Sequence, residues 1–184
     1  MQEIVFHGTH TSAKNKILVE NFKMSSDKTD WLGKGIYFFS HGIGCPIEHS
    51  INWCLYKKNF SKQNVTVLRT KINVNDEHFL DVTTYDGMEE FQQLRSELLT
   101  KHSNEFPKDR HFGEDNCKIW NIISELLDLH VVVNNLYICK ISNNKSERDI
   151  ELKSNVPNCT VLCVKKDGII NIQDINLEDI SGVI

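Results

Sequence analysis

The sequence predicts an α+β fold, because strand-like segments lie at both ends of the chain and helical segments lie between them. The first strand signal is QEIVFHGT at residues 2–9, and further β-rich runs lie at 31–40 and 65–74. The apolar residues of 87–101 and 117–129 recur at helical spacing. The closing segments HVVVNNLYICKI, CTVLCVK and IINIQDI are strand-like, and we expect VVV or VLCV in the centre of the sheet.

The composition predicts one globular domain covering residues 1–184, since no repeat or linker interrupts the chain. A formal net charge of -4 gives no general attraction to nucleic acid or anionic membranes. No apolar run reaches bilayer length, and MQEIVFHGTH lacks the features of a signal peptide, so we expect a cytoplasmic protein with no membrane partner. The six cysteines form no CxxC pair, which favours free thiols in a reducing compartment.

Two segments near the N-terminus place glycine where backbone can approach a ligand. HGT, residues 7–9, puts a histidine and a glycine at the end of the first strand. Gly33 and Gly35 precede the aromatic strand IYFF, which suggests backbone pressed against a flat or bulky group. Taken singly, a half-buried histidine before a turn and an aromatic core strand explain these patterns as well.

A third segment, SINWC, places Ser50 and Trp53 on one face of a helix. A large aromatic ring with a hydroxyl neighbour can stack on a planar amide and hydrogen-bond to it, although core packing also explains an isolated tryptophan. Nearby, the series His41, Cys45, His49 and Cys54 resembles a metal-ligand pattern. Two glycines and a proline prevent a single helix from presenting all four, so we expect no metal site. The lysine pairs 57–58 and 165–166 are interpreted as solvated surface.

In their order along the chain, HGT, ILVENFK, WLGKGIYF and SINWC resemble the catalytic domain of poly(ADP-ribose) polymerases, within the diphtheria-toxin-like ADP-ribosyltransferase superfamily. The resemblance is strong over residues 5–54 and traceable over 65–74 and 159–175. It implies split, mostly antiparallel β-sheets with flanking helices around an NAD cleft. It also implies that NAD serves as the donor of ADP-ribose and that nicotinamide is released.

The resemblance assigns a role to each matching residue of the nicotinamide pocket. It implies that His7 holds the 2′-hydroxyl of the nicotinamide ribose and that the backbone of Gly8 grips the carboxamide. Tyr37 matches the tyrosine stacked on nicotinamide, and Trp53 falls where a second aromatic ring closes the sandwich. Ser50 matches a serine that donates to the carboxamide oxygen. Cleavage of the bond to nicotinamide passes through an oxocarbenium-like state, which such a pocket suits.

Other matches concern the rest of the dinucleotide. Thr9 matches a small hydroxyl residue near the adenine-side ribose, and Lys23 falls where many relatives place arginine beside the adenosine. Gly35 belongs to the expected NAD-binding set through the WLGKGIYF match. Residues 24–31 match a flexible segment that forms a lid over the dinucleotide.

One departure from the family pattern concerns catalysis. Polymerase relatives carry a glutamate at the start of a late strand, where VPNCTVLCV has Cys159, or Asn158 if the register slips by one. Neither side chain is a carboxylate base. Three explanations remain open: the acceptor supplies its own base in mono-ADP-ribosylation, Glu114 or Asp115 enters from the middle segment, or NAD is bound without turnover. We favour the first two, and expect no chain elongation.

The sequence therefore predicts an NAD-dependent mono-ADP-ribosyltransferase acting on a protein or nucleic-acid acceptor. The expected catalytic set is His7, Tyr37, Cys159 and Glu114. Small stand-alone relatives from bacteria and phages act as toxins or in defence and counter-defence, so an antitoxin or inhibitor is an expected partner. One alternative is an RNA 2′-phosphotransferase, which needs a basic residue set that the sequence does not display. The other is a non-enzymatic module that binds NAD or ADP-ribose.

Overall fold

The described part of the chain, residues 1–106 and 112–183 of the computed structural model, contains seven strands and five α-helices. The strands are β1 Gln2–His10, β2 Ile36–Ser40, β3 Val65–Asn73, β4 Phe79–Asp81, β5 Val131–Leu136, β6 Cys159–Val164 and β7 Asn176–Leu177. The α-helices are α1 Thr11–Glu20, α2 Pro46–Asn52, α3 Tyr85–His102, α4 Phe112–Leu126 and α5 Lys145–Asp149. A π-helical turn, Trp53–Lys57, continues α2. The mixed α and β composition that the sequence predicts is confirmed.

The seven strands form one sheet in the order β4-β5-β6-β2-β1-β3-β7. Only β4 and β5 run parallel, and the other neighbours are antiparallel. The ladder between β1 and β3 extends from Gln2 to His10, whereas the ladder between β1 and β2 contains just two pairs, at Val5 and Phe6. The expected pair of sheets is thus a single sheet with a narrow junction, and β1 separates from β2 beyond Phe6.

Alternate residues of the central strands enter two cores on opposite faces of the sheet, as strand geometry requires. Phe39 and Val161 pack with Trp120 of α4 on one face. Phe38 and Leu162 pack on the other face, together with residues of α1 and the C-terminal segment. All six residues of β6 are buried, so VLCV occupies the interior position expected for it. No helix in the described ranges is both long and apolar enough to span a bilayer.

Two closing segments that the sequence predicts as continuous strands turn out of the sheet. Short 3-10 turns occupy Cys139–Ile141 and Ile172–Asp174. The side chain of Asn158 explains the first turn. Its Oδ1 accepts from the backbone N–H of Ile138 at 2.9 Å, and its Nδ2 donates to the carbonyl of Ile138 at 3.2 Å. A side-chain amide therefore replaces the strand partner there, and β5 ends at Leu136.

We predict that Leu162→Ala lowers the free energy of unfolding by about 2–5 kcal/mol, the usual cost of a cavity at a fully buried leucine. Leu162 is 0% exposed in the middle of β6, while Leu126, at the end of α4, is 68% exposed. Leu126→Ala is therefore the matched control and should leave stability nearly unchanged. Urea unfolding followed by circular dichroism measures both. Equal effects of the two substitutions would contradict the assigned burial.

Candidate functional site

A cleft of about 500 Å³ opens where β1 and β2 separate. This volume falls within the range of small-molecule sites. Its lining includes seven of the residues that the sequence suggested for NAD: His7, Gly8, Thr9, Lys23, Gly35, Tyr37 and Trp53. The short β1–β2 ladder is the structural cause, because the backbone of residues 7–9 has no strand partner on its β2 side.

His7 bridges the gap between the two strands. Its Nδ1 lies 2.8 Å from the backbone oxygen of Tyr37. A carbonyl can only accept, so Nδ1 carries the proton and Nε2 of the neutral ring is an acceptor. Edge-to-face contacts with Phe22 and Phe38 hold the ring, with centroids 5.1 and 5.7 Å away. Burial lowers the pKa of His7, while the bond to Tyr37 opposes that effect. The site thus offers a fixed hydrogen-bond acceptor at neutral pH.

Tyr37 lines the cleft with its ring while its hydroxyl holds a neighbouring turn. The hydroxyl donates to the carbonyl of Gly33 at 2.6 Å and accepts from the N–H of Leu32 at 2.9 Å. Burial, above all, raises the pKa of this phenol. Tyr37 therefore stays neutral, and both hydrogen-bonding functions of its hydroxyl are used within the protein. Its ring, not its hydroxyl, is what a ligand can contact.

Three aromatic rings meet on one side of the cleft. Trp31 contacts Tyr37 with centroids 6.2 Å apart and Trp53 with centroids 5.4 Å apart, both at steep interplanar angles. Tyr37 and Trp53 are expected from the sequence to contact nicotinamide, whereas Trp31 falls in the loop of residues 24–31. A planar ligand would meet three rings here. Trp53 begins the π-helical turn, where the N–H of Lys58 bonds the carbonyl of Trp53 at 3.0 Å. Such turns are frequent at functional sites.

Three lysines lie at the rim of the cleft, and one of them, Lys23, belongs to the set that the sequence suggested for NAD. Lys57 and Lys58 line the cleft together with Lys23, and all three are exposed. The exposure of residues 57–58 agrees with their interpretation as solvated surface, and both residues also line the cleft. The π-helical turn ends at the cleft, where Nζ of Lys58 lies 5.7 Å from the ring centroid of Trp53. These cations are available to an anionic ligand.

The glycines of the site also have packing reasons to be glycine. A Cβ at Gly8 would lie 2.2 Å from the backbone oxygen of Ser50 and 2.8 Å from Sγ of Cys54. A Cβ at Gly35 would lie 2.3 Å from Sγ of Cys163. Close approach of α2 to β1 therefore accounts for Gly8 without a ligand, and the backbone of Gly8 still borders the cleft.

Three of the sequence-suggested residues lie outside the lining of the cleft. Ser50 is fully buried, and its hydroxyl donates to the carbonyl of Pro46 at 2.8 Å, so it is turned into its own helix. Cys159 is fully buried, its thiol donates to the carbonyl of Leu136 at 3.3 Å, and burial raises its pKa to about 12. Glu114 is exposed near the start of α4. The expected roles of these three side chains in the cleft are corrected accordingly.

Two carboxylates that the sequence interpretation assigned to a polar loop line the cleft instead. Asp27 is exposed, and its Oδ1 accepts from the N–H and hydroxyl of Thr29 at 2.9 and 2.8 Å, which lowers its pKa. Asp30 is half-buried, and its Oδ2 accepts from the hydroxyl of Ser25 at 2.7 Å. Burial raises the pKa of Asp30, and the bond to Ser25 opposes that rise.

The loop carrying these carboxylates is tied down at several points, whereas the resemblance implied a flexible lid over 24–31. Backbone bonds join Ser25 and Gly35 in both directions, at 2.8 and 3.3 Å. The half-buried Lys165 donates to the carbonyls of Leu32 and Lys34, and burial lowers its pKa. Its interpretation as solvated surface is therefore wrong. The loop forms one wall of the cleft.

The histidine and cysteine series that resembled a metal pattern does not converge. Cys54 and His49 are buried, while His41 and Cys45 are exposed. In the part of the chain that the structure describes, the closely spaced group is a different one: the ligand atoms of His78, Asp128 and His130 lie within 4.8 Å of one another.

The ammonium group of Lys166 already lies beside this cluster of two histidines and an aspartate. Nζ of Lys166 is 2.9 Å from Oδ1 of Asp128 and 3.0 Å from Nε2 of His130. The rings of His78 and His130 are stacked, with centroids 4.0 Å apart and planes 12° apart. A single metal ion cannot lie in two nearly parallel ring planes at that spacing, so the arrangement favours an ion-pair network.

Comparison with known proteins adds no family: no protein-family model, no curated protein and no solved structure matches this chain at a significant level. The function is therefore inferred from the geometry of the cleft and from the residues that line it.

We predict that Gly8→Ala destabilises the protein by about 1–3 kcal/mol, the usual cost of overpacking. The added methyl group would overlap the backbone of α2. Gly182→Ala is the control, because no atom lies within 4 Å of a Cβ at that position. Urea unfolding midpoints of the two variants give the answer. If Gly8→Ala unfolds at the wild-type midpoint, the close packing of α2 on β1 is wrong.

Proposed function

We propose that this protein is an NAD-dependent mono-ADP-ribosyltransferase that releases nicotinamide and transfers ADP-ribose to a macromolecular acceptor. The observation that carries the proposal is that His7, Tyr37 and Trp53, which lie far apart in sequence, line one cleft. The resemblance in HGT, WLGKGIYF and SINWC assigns these three residues to the nicotinamide riboside end of NAD. Convergence of all three is what that assignment requires.

The aromatic wall suits the leaving group. Nicotinamide in NAD is a cationic pyridinium ring, and aromatic faces attract a cation as well as a flat ring. Release of neutral nicotinamide removes this charge, so the ring is held more tightly before cleavage than after it. Trp31, Tyr37 and Trp53 supply such a wall.

His7 suits the ribose. Its Nδ1–H is held by the carbonyl of Tyr37, so its Nε2 can accept a hydrogen bond from a ribose hydroxyl. The lowered pKa keeps the ring neutral, which avoids placing a second positive charge beside the oxocarbenium-like ribose. The three exposed lysines of the rim suit the pyrophosphate, whose charge is negative.

The basic rim also favours a second candidate, an RNA 2′-phosphotransferase that uses NAD to remove a phosphate. That reaction needs cations around the phosphate, and Lys23, Lys57 and Lys58 are cations at the cleft.

Incubation with NAD labelled in its adenylate half tests both candidates. Label that stays on protein or nucleic acid from a cell extract supports transfer. Loss of phosphate from a 2′-phosphorylated RNA oligonucleotide supports the second candidate. NAD binding without nicotinamide release would contradict both.

We predict that His7→Asn slows nicotinamide release by about 10²-fold or more, the usual effect of removing one well-placed transition-state hydrogen bond. Asparagine Nδ2 can still donate to the carbonyl of Tyr37, but the acceptor at Nε2 is lost. Chromatography of released nicotinamide measures the rate, and thermal unfolding checks the fold. Wild-type release by a folded His7→Asn protein would remove His7 from the mechanism.

The aromatic wall gives a separate prediction. Tyr37→Ala and Trp53→Ala should each weaken NAD binding by about 1 kcal/mol or more, the scale of one stacking contact. Tyr85→Ala is the control, since Tyr85 is 74% exposed on α3 and away from the cleft. Calorimetric titration with NAD measures all three affinities. Unchanged affinity in both cleft variants would show that nicotinamide does not bind between these rings.

A further inference from the structure

We infer that Asp30 is the catalytic carboxylate of this cleft, taking the place of the glutamate that the family pattern puts at the start of β6. This inference rests on the proposed function. It identifies Asp30 as the group that takes up the hydroxyl proton of the molecule receiving ADP-ribose. The chain offers nothing suitable at the start of β6 itself. The side chains of Asn158 and Cys159 are bound there to the backbone of Ile138 and Leu136.

The choice among carboxylates follows from position. Among the residues that the structure describes, the cleft is lined by two carboxylates, Asp27 and Asp30, while Glu114 lies outside the lining. Asp27 is exposed, and its Oδ1 closes a local turn with Thr29. Asp30 is half-buried and directly precedes Trp31, whose ring contacts those of Tyr37 and Trp53. It therefore lies at the aromatic end of the cleft, where nicotinamide would leave.

Asp30 is also held in place, as a catalytic group must be. One oxygen, Oδ2, accepts from the hydroxyl of Ser25. The backbone N–H of Asp30 bonds the carbonyl of Asp27 at 3.3 Å, and its carbonyl accepts from Gly33 at 3.1 Å. The next residues of the turn, Leu32 and Gly33, bond the hydroxyl of Tyr37. The tyrosine that lines the cleft thus also fixes the turn that carries Asp30.

The reaction balances with Asp30 in this role. The bond between C1′ of the ribose and the pyridinium nitrogen breaks, and its electron pair goes to nicotinamide, which leaves neutral. A bond forms between C1′ and the oxygen of a hydroxyl-bearing acceptor or of water. The proton of that hydroxyl passes to the carboxylate of Asp30 and then to solvent. Before this step, the negative carboxylate stabilises positive charge on the ribose. A raised pKa makes Asp30 a better base than an exposed aspartate.

The deciding experiment compares Asp30→Asn with wild type in nicotinamide release and in calorimetric NAD affinity. Asparagine can keep the hydrogen bond to Ser25 and has nearly the same shape, so the cleft should survive. We expect turnover to fall by about 10²–10⁴-fold with NAD affinity nearly unchanged, as for loss of a general base. Asp174→Asn is the control, because Asp174 is exposed in the 3-10 turn Ile172–Asp174 and lies outside the cleft.

A rescue measurement separates catalysis from structure. Asp30→Ala should lose turnover and regain part of it with formate, since a small carboxylate can enter the space left by the side chain. The role of Asp30 would be overturned if Asp30→Asn released nicotinamide at the wild-type rate, whether or not its NAD affinity fell. The proposed function would remain in that case. Absence of nicotinamide release from the wild-type protein would overturn the proposed function itself, and the role of Asp30 with it.

Discussion

The hydrogen bond from Nδ1 of His7 to the carbonyl of Tyr37 is the interaction on which the cleft depends. It spans β1 and β2 just where their ladder stops, so it joins the two strands without closing the space between them. A regular ladder would fill that space with backbone hydrogen bonds and leave no cleft. The bond also fixes the tautomer of the imidazole, so one contact determines both the shape of the site and its hydrogen-bonding character.

Tyr37 connects His7 to the opposite wall of the cleft. Its carbonyl holds His7, its ring lines the cleft, and its hydroxyl holds the turn at Leu32 and Gly33. Lys165, the residue after β6, donates to the carbonyl of Leu32 in the same turn and so connects the wall to the sheet. In the proposed reaction, ribose, nicotinamide and the carboxylate would therefore be positioned by groups that are all connected through one tyrosine. Such pre-organisation favours bond cleavage.

The sequence could predict the parts of the site that are written in short motifs. His7, Gly8 and Tyr37 come from segments whose strand pattern and glycines are local, and they line the cleft. Asp30 could not be found this way, because residues 24–30 have the composition of an ordinary loop. Trp31 begins WLGKGIYF, but nothing in that motif shows that its ring contacts those of Tyr37 and Trp53. Their placement depends on the backbone pairing of Ser25 with Gly35 and on the bonds of the Tyr37 hydroxyl to the turn at 32–33, which the residue pattern does not reveal.

Three other differences between sequence and structure have separate causes. Lys57 reaches the cleft through a π-helical turn, which has no recognisable sequence pattern. The strand expected after Leu136 fails because Asn158 bonds the backbone of Ile138 from a distant segment. Ser50 shares a helical face with Trp53, but its hydroxyl bonds the preceding turn of its own helix. Periodicity identified the elements, while side-chain bonds within a helix and between distant segments decided where β5 ends and which side chains reach the cleft.

The most direct measurement of the central claim is a nicotinamide titration followed by amide chemical shifts in solution. If the cleft between β1 and β2 is the nicotinamide pocket, the amides of His7, Gly8 and Tyr37 and the indole N–H of Trp53 shift together, while those of α3 stay unchanged. Shifts confined to other surfaces, or no shifts at millimolar nicotinamide, would contradict the account.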